Sequence, residues 1–576
     1  MIEEGSLLFE FADKEGKVTP QWFRHPLEVL TAASVEEVQQ IFARVDELLN
    51  QGYYVAGYVA YEAAPAFDES FIVHTETDWP LVWFGVYDGP VEDSGDQDRC
   101  GSFSVSDWQP IGDYETYKEG IGKIKEGIER GDTYQVNYTT RLRAAIKGED
   151  YAFYRQLVEN QRSKYSAYLH MGERRVLSAS PELFFRIDGS TITTKPMKGT
   201  APRGRTYEED EQRKRQLVES EKERSENLMI VDLLRNDVGR IARPGSVRVP
   251  RLFDVETYPT VHQMTSTIEA ELPDICRMGD IFQALFPCGS ITGAPKVRTM
   301  EYISRLELSP RGVYCGAIGY MTPKKEAVFN VPIRTVMLEG DKAVYGTGGG
   351  VTWDSTSEGE YEELHTKARL LKENRPEFRL LETMRLEDGR IGLLSYHLQR
   401  LRHSADYFDF RLDESSVNSK LEEQMHLHPH GAFKVRLLVD RNGESTVEVH
   451  SIDPPHGPVV CGVADQAVDE DDPFLYHKTT HRTVYEQHQK PGMFATLLWN
   501  SREELTEFTF ANLVVKDKGK YYTPPVSSGL LAGTFRAKLL DEGVIEEKVL
   551  EKPSLSGFEE VWMVNSVRGW IRVDFE

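Results

Sequence analysis

The chain has 576 residues, enough for two to four domains with cores of their own at roughly 100–200 residues each. Acidic residues outnumber basic ones by 93 to 68, a net charge of −25, which argues against nucleic acid or an anionic membrane as the main partner, because both reward basic patches. No apolar run approaches the roughly 20 residues of a membrane span, and the five scattered cysteines, Cys100, Cys276, Cys288, Cys315 and Cys461, form no C-x-x-C and predict neither a disulfide framework nor a zinc site.

The opening stretch MIEEGSLLFEFADKEG is acidic and lacks the basic region of a signal peptide, so a cytoplasmic enzyme is the expectation. DGPVEDSGDQDRCG, Asp88 to Gly101, predicts a loop. YETYKEGIGKIKEGIERGDTYQVNYTTRL begins with the period of an amphipathic helix, breaks near Gly131 and then alternates as a strand. KPMKGTAPRG, Lys195 to Gly204, is too rich in Pro and Gly for a helix and too polar for a buried strand; it predicts a stiff loop around Lys198. Glu208 to Arg240 predicts one long charged helix that stops at RNDVGR. GVYCGAIGYM, AVFNVPIRTVML and KAVYGTGGGVTW predict successive strands. The glycines of YGTGGGV suit either a backbone that approaches a ligand or a tight hairpin turn. SEGEYEELHTKARLLKEN predicts a helix closed by Asn374 and Pro376. At LLETMRLEDGRIGLLSYHLQRL the pattern restarts as strand, turn, strand and helix. This sets a boundary at Asn374 to Phe378, with a first domain over 1–374 (core 115–372) and a second over 378–576.

Two spacings carry chemistry. Glu223 and Glu226 share one helix face, and Glu360, Glu363 and Lys367 share another. Two helices each offering a carboxylate pair can clamp Mg²⁺, a hard ion that takes oxygen ligands, although helical glutamates are ordinarily solvated and spacing alone does not select a metal. Neither YGTGGGV nor GSITGAPK is a P-loop: the first lacks the lysine and Pro295 interrupts the second.

Taken in order, GDTYQVNYT, KPMKGTAPRG, SENLMIVDLLRNDVGRI, VHQMTSTIEA, GSITGAPK, YCGAIGY, IRT, GTGGGVTWDS and EYEELHTKA resemble the chorismate-using enzymes, over roughly Gly120 to Leu371. That group includes anthranilate synthase large subunits, aminodeoxychorismate synthase component I, and isochorismate and salicylate synthases. The resemblance implies an α+β fold, a β-sandwich with helices. Two positions separate the chemistries within it. Isochorismate and salicylate synthases carry a water-activating lysine where this chain has Gln135, and anthranilate synthases usually carry alanine where it has Lys198. Lysine at 198 is similar to the aminodeoxychorismate synthases, in which it is taken to attack C2 of chorismate and displace the C4 hydroxyl before ammonia adds at C4. Such a lysine must be neutral, and Lys195, Arg203 and Arg205 are the nearby cations expected to help. The resemblance further implies Mg²⁺ on Glu226 and Glu363, with Glu223 and Glu360 as supporting or alternate ligands. Arg334 and the backbone of Gly348, Gly349 and Gly350 fall to the pyruvyl carboxylate. Tyr314, Thr292, Gly199, Thr200 and Gln135 fall to substrate contact, and His262 to pyruvate elimination or substrate orientation. No G-x-C-x-G nucleophile is present, so ammonia is expected from a separate glutamine amidotransferase subunit.

HLQRL, YHKTTHRTVY, TEFTFANLVV and GLLAGTFR, in that order over Phe378 to Glu576, are similar to the class IV aminotransferases, which include aminodeoxychorismate lyase. This implies a two-subdomain fold that uses pyridoxal 5'-phosphate. Lys478 matches the Schiff-base lysine, Glu507 the acid facing the pyridine nitrogen, and Arg400, Gly533, Thr534 and Ser566 the phosphate holders. Free-standing members begin with a strand and a YGDG-like loop that this chain lacks, and a homodimer through this half is compatible with the resemblance. The two halves together imply a fused two-step route from chorismate to 4-aminobenzoate. The alternatives are an anthranilate synthase-like domain joined to a true aminotransferase, or a C-terminal half that only binds a partner.

Overall fold

A computed structural model describes residues 2–92, 101–452 and 457–576. Of the expected loop at Asp88 to Gly101, residues 93–100, Cys100 among them, lie outside the described residues. The chain divides into two compact units: Met1–Pro202 with Lys214–Arg375, and Arg203–Arg213 with Pro376–Glu576. Among the described residues no helix is long and apolar enough to cross a membrane.

The first unit is built on two ten-stranded sheets. Leu7, Phe9 and Phe11 of the strand Leu7–Ala12 in one sheet pack in a common core with Ala56, Tyr58 and Ile318 of the other, which makes the pair a sandwich. Helices cover the outer faces; Val231 and Leu234 of Glu221–Gly239 sit in a core with Ile268 of the strand Val261–Glu271. The single helix expected over Glu208 to Arg240 is two, Tyr207–Glu219 and Glu221–Gly239. Ser220 breaks them: its backbone is extended and its hydroxyl accepts from Glu223 N, a capping geometry that serine prefers to helix interior.

One further expectation changes and one alternative closes. Lys195 to Gly204 is strand rather than loop up to Pro202: Thr191–Lys195 and Met197–Pro202 flank Pro196 and pair in turn with Val261–Glu271. Polar residues are tolerated because Met197–Pro202 is the last strand of its sheet, where proline can also sit. The glycine cluster forms no hairpin and keeps to the strand expected of KAVYGTGGGVTW. Gly346 to Gly350 continue the strand Lys342–Val351, paired residue by residue with Gln135–Gly148.

The second unit holds a four-stranded sheet, containing Leu380–Glu387 and Ala432–Val439, and an eight-stranded sheet containing Leu505–Phe508, Ala511–Asp517 and Glu560–Asn565. Helix Leu394–Phe408 packs Leu401 and Ala405 into the core of the smaller sheet.

Candidate active sites

In the first unit a cavity of about 230 Å³ is lined by Lys198, Gly199, Thr200, Glu223, Glu226, Tyr314, Arg334, Gly348, Gly349, Gly350, Glu360 and Glu363. Lys198 gets there through a break in pairing: the register with Val261–Glu271 slips between Met197 and Thr200, and Gly199 takes φ +103°. A bulge of this kind re-aims one side chain. Asn227 Nδ2 donates to Lys198 O at 3.0 Å and is itself held by Ser266 at 2.6 Å, so the bulge is tied to the neighbouring helix and strand. The Lys198 ammonium lies 3.3 Å from Glu226. The cations expected around it are spent elsewhere. Lys195 pairs with Glu256 at 2.7 Å, Arg203 with Asp210 at 2.8 Å and Arg205 with Glu209 at 2.9 Å, the last two pairs belonging to the second unit.

The glycines of Lys342–Val351 make room for this chemistry. A Cβ at Gly350 would stand 2.1 Å from Gln135 Nε2 and 2.4 Å from Lys198 Nζ, and one at Gly349 would stand 2.9 Å from Glu360 Oε2. Gly350→Ala is therefore expected to lower the activity of this unit by about 100-fold, through displacement of Lys198 and Gln135, while the melting temperature stays within a few degrees. Steady-state assay beside thermal denaturation checks it, and unchanged activity would show that the close approach is not needed.

Several polar atoms here are buried and without a partner: both side-chain atoms of Gln135, Arg334 Nη1 and Glu360 Oε2. Such atoms are costly unless something else satisfies them. Arg334 is a non-glycine residue at φ +52°, and burial pushes its guanidinium below its usual value. A buried guanidinium with a free N–H suits a ligand carboxylate. Burial, and then the charge of Glu226, raises the Glu223 carboxyl; burial likewise raises Glu360, with Glu363 adding to it. Glu363 is held by Lys367 at 2.7 Å. Among the described residues no three His, Cys, Asp or Glu side chains stand close enough to hold a metal as placed. Four of the glutamates that line this cavity nevertheless fit one: Glu223 and Glu360 are pushed toward protonation by burial and by the charges of Glu226 and Glu363, and those two pair with Lys198 and Lys367, a charge a divalent cation would balance.

Three expected contacts, Gln135, Thr292 and His262, are not in the cavity wall. Thr292 spends its hydroxyl on Cys288 O and Gly289 O, at 3.1 and 3.2 Å, although Ser290 and Ile291 line the space. His262 is fully buried with Nδ1 3.1 Å from Thr257 Oγ1. Conversely, Glu182 lines the cavity without a sign in the sequence, because PELFF reads as the start of an apolar strand. Burial pushes its carboxyl up to about 7 despite a 2.6 Å bond from Ser290.

The second unit encloses a cavity of about 390 Å³ lined by Arg400, Lys478, Glu507, Gly533, Thr534 and Ser566, all six expected residues, together with Lys434, Arg436, Arg482 and Tyr485. Lys478 is held by its backbone, whose carbonyl accepts from Leu381 N at 3.0 Å. Burial, reinforced by Arg400 and Arg482, lowers its ammonium to about 8. Glu507 accepts from Tyr485 Oη at 2.9 Å, Leu531 N at 3.0 Å and Asn512 Nδ2 at 3.2 Å, yet burial still raises it to about 7. Arg400 makes two bonds to Glu382, 2.9 and 2.7 Å, and His397 meets the same carboxylate at 2.6 Å. Burial alone would raise Glu382, but Arg400 and His397 hold it at about 2. Gly533 precedes helix Thr534–Asp541, whose first N–H groups suit an anion.

A pocket with an amine of lowered pKa, a buried acid and a cation beside a helix N-terminus fits pyridoxal phosphate by the chemistry of its donors. The amine also carries a cost. Its folded value is below the 10.5 of a free lysine, so protonation favours the unfolded chain, fully below pH 8 and not at all above about 10.5. Lys478→Met is expected to stabilise the cofactor-free second unit by about 2–3 kcal/mol at pH 7, a gain that fades between pH 8 and 10.5; urea melts at pH 7 and 10 check this, and a pH-independent difference would refute it.

The family model described as chorismate binding enzyme matches residues 96–373, and that of amino-transferase class IV matches residues 379–574. Aminodeoxychorismate synthase component 1 of Escherichia coli (strain K12) is 44% identical over 270 residues, 47% of this chain and 60% of that protein. The Bacillus subtilis (strain 168) protein of the same name is 42% identical over 252 residues, 44% of this chain and 54% of that protein. The chain thus matches between half and two thirds of the length of these relatives. A solved structure, anthranilate synthase component I from Streptococcus pneumoniae TIGR4, shares the fold of the first unit with a TM-score of 0.53 at 24% identity, over 64% of this chain and 91% of that one.

Proposed function

For a chain that joins a chorismate-binding enzyme domain to a class IV amino-transferase domain, we propose a two-step synthesis of 4-aminobenzoate, in which chorismate is aminated at C4 and the product then loses pyruvate. The observation that carries the reading is the pairing in one cavity of Lys198 with the unpartnered guanidinium nitrogen of Arg334. Arg334 binds the pyruvyl carboxylate, assisted by the backbone of Gly348 to Gly350. Lys198 Nζ attacks C2 as the C4 hydroxyl leaves, and ammonia then adds at C4 and expels the lysine. Gln135 fills the place where a basic side chain would activate water, so water is not the nucleophile. Among the carboxyls of the cavity Glu182, raised to about 7, is poised to exchange a proton at neutral pH. Mg²⁺ on Glu226 and Glu363, supported by Glu223 and Glu360, would neutralise the ring carboxylate of the substrate.

In the second unit Lys478, Glu507, Arg400, Gly533, Thr534 and Ser566 would hold pyridoxal phosphate. Bound there, it supplies an electron sink for the bonds that break as pyruvate leaves. Glu507 would face the pyridine nitrogen and hold a proton there, and the amine of Lys478 would move protons as the ring becomes aromatic. Lys434 and Arg436 are the cations placed for a substrate carboxylate. Ammonia comes from a separate glutamine amidotransferase partner.

The test is product analysis of the full chain with chorismate, an ammonium salt, Mg²⁺ and pyridoxal phosphate. 4-Aminobenzoate and pyruvate in equal amounts are expected. Anthranilate as the aromatic product would overturn the first step. An intermediate aminated at C4 that never loses pyruvate would overturn the second.

A further inference from the structure

Residues 203–213 lie inside the stretch matched by the chorismate-binding family, yet they belong to the second unit. Their attachment is specific. Arg203 makes a two-point pair with Asp210, 2.8 and 2.9 Å, with both side chains nearly buried. Asp210 also accepts from Gly204 N at 2.8 Å, so the segment closes on itself; a Cβ at Gly204 would stand 2.2 Å from Asp210 N. This closed turn grips Tyr407. Arg203 Nη2 donates to Tyr407 O at 2.7 Å, its guanidinium lies 4.3 Å from the ring centroid, and Tyr407 Oη donates back to Gly204 O at 2.8 Å.

Tyr407 in turn stacks on His477, centroids 4.1 Å apart and planes 28° apart, and Ser404 Oγ lies 3.0 Å from His477 Nδ1. His477 is the residue before Lys478, and Tyr407 and Ser404 are on the helix that carries Arg400. Two more contacts point the same way: the Tyr207 ring stacks on His403 at 4.3 Å, and Arg205 lies 5.7 Å from the ring centroid of Tyr476.

The helix bearing Arg400 and the turn bearing Lys478 therefore share one brace. We infer that the segment Arg203–Arg213 is working machinery of the second unit, and that Arg203, Asp210 and Tyr407 are positioning residues that hold Lys478 and Arg400 in register for pyridoxal phosphate. The inference rests on the reading of that cavity as a pyridoxal phosphate site. The ion pair needs the planar fork of arginine: a lysine at 203 keeps the charge but cannot bond two carboxylate oxygens and the Tyr407 carbonyl together.

The experiment uses the full chain stripped of cofactor, as wild type, Arg203→Lys, Asp210→Asn and Lys478→Ala. Pyridoxal phosphate binding is followed by absorbance titration, and hydrogen exchange over residues 472–479 is followed by mass spectrometry without cofactor. Arg203→Lys and Asp210→Asn are each expected to weaken cofactor binding about 10-fold or more, to speed exchange at 476–479, and to lower kcat for pyruvate release more than they raise KM. Wild-type binding and wild-type exchange in both variants would overturn the inference. So would a parallel loss of chorismate consumption in the same preparations, which would mark general unfolding. A wild type that binds no pyridoxal phosphate, or binds it as well after Lys478→Ala, would instead overturn the site reading beneath it.

Discussion

Lys198→Ala is expected to lower amination of chorismate at C4 by about 1,000-fold or more, while chorismate binding weakens by less than about 10-fold. The argument is geometric. Lys198 is placed by a bulge whose glycine, Gly199, sits at φ +103°, and whose backbone is tied by Asn227. Truncation leaves that frame, the Arg334 guanidinium and the glutamates in place, so under the proposed function what is lost is the nucleophile rather than the cavity. An alanine also releases Glu226 from its 3.3 Å partner, adding negative charge where an anionic substrate must bind, which is why a modest loss of binding accompanies the loss of rate. Lys198→Met separates the two effects poorly because it fills the space; Lys198→Gln keeps a polar group near Glu226 and should bind like the wild type yet aminate no faster than Lys198→Ala. The check is quenched-flow or discontinuous product analysis with excess ammonium. A variant that still aminates at C4 at full rate would remove Lys198 from the chemistry. An aromatic product carrying the amine at C2 would show that the residue at 198 chooses the position of amination.

The parts of these sites that were legible in the sequence share a property: their signal is local. Glu223 with Glu226, and Glu360 with Glu363, are three apart, and helical geometry alone puts each pair on one face. Lys198 and Lys478 stand out through the resemblance of the ordered motifs around them to known families, not through composition. What sequence patterns could not give depends on partners far along the chain. KPMKGTAPRG reads as a loop because its residues are poor strand formers, and only the pairing with Val261–Glu271, about sixty residues on, makes most of it a strand. Gly346 to Gly350, by contrast, fall in a run that predicts strand, and only the pairing with Gln135–Gly148 removes the hairpin alternative. Glu182 and Glu382 lie within apolar runs that read as strand interior, and each becomes visible as a site residue only when Ser290, or Arg400 with His397, is brought against it. The attachment of Arg203–Arg213 to the second unit is of this kind too. Nothing in its composition announces Tyr407, some two hundred residues later. Lys195, Arg203 and Arg205 were plausible neighbours of Lys198 by sequence distance, and each is instead paired with its own carboxylate.

Lys478→Ala is expected to leave chorismate consumption within about twofold of wild type while pyruvate release from the aminated product falls by about 1,000-fold or more, so that 4-amino-4-deoxychorismate accumulates. The second unit has its own cavity, and Lys478 contributes nothing to the one that holds Lys198. Lys434 is the other lysine of the wall, on the strand Ala432–Val439, where it pairs in register with Arg385 on one side and His450 on the other. At pH 7.5 a lysine at 8 is about one quarter neutral, whereas one at 10.5 is about one part in a thousand neutral, so an ordinary surface amine offers far less of the reactive form. This gives the rate of cofactor uptake by the wild type a pH dependence of its own: it should rise between pH 6.5 and 8.5 and flatten above, as the neutral fraction of Lys478 saturates. Glu507, at about 7, loses its proton over the lower part of the same range, so the approach to the plateau should be shallower in Glu507→Gln, whose side chain does not titrate. Stopped-flow absorbance with the stripped full chain reads the uptake, and chromatography of the two-step reaction reads the accumulation. Full pyruvate release by Lys478→Ala would move the chemistry of the second unit to another residue, and an uptake rate flat in pH would show that deprotonation of this amine does not control cofactor capture.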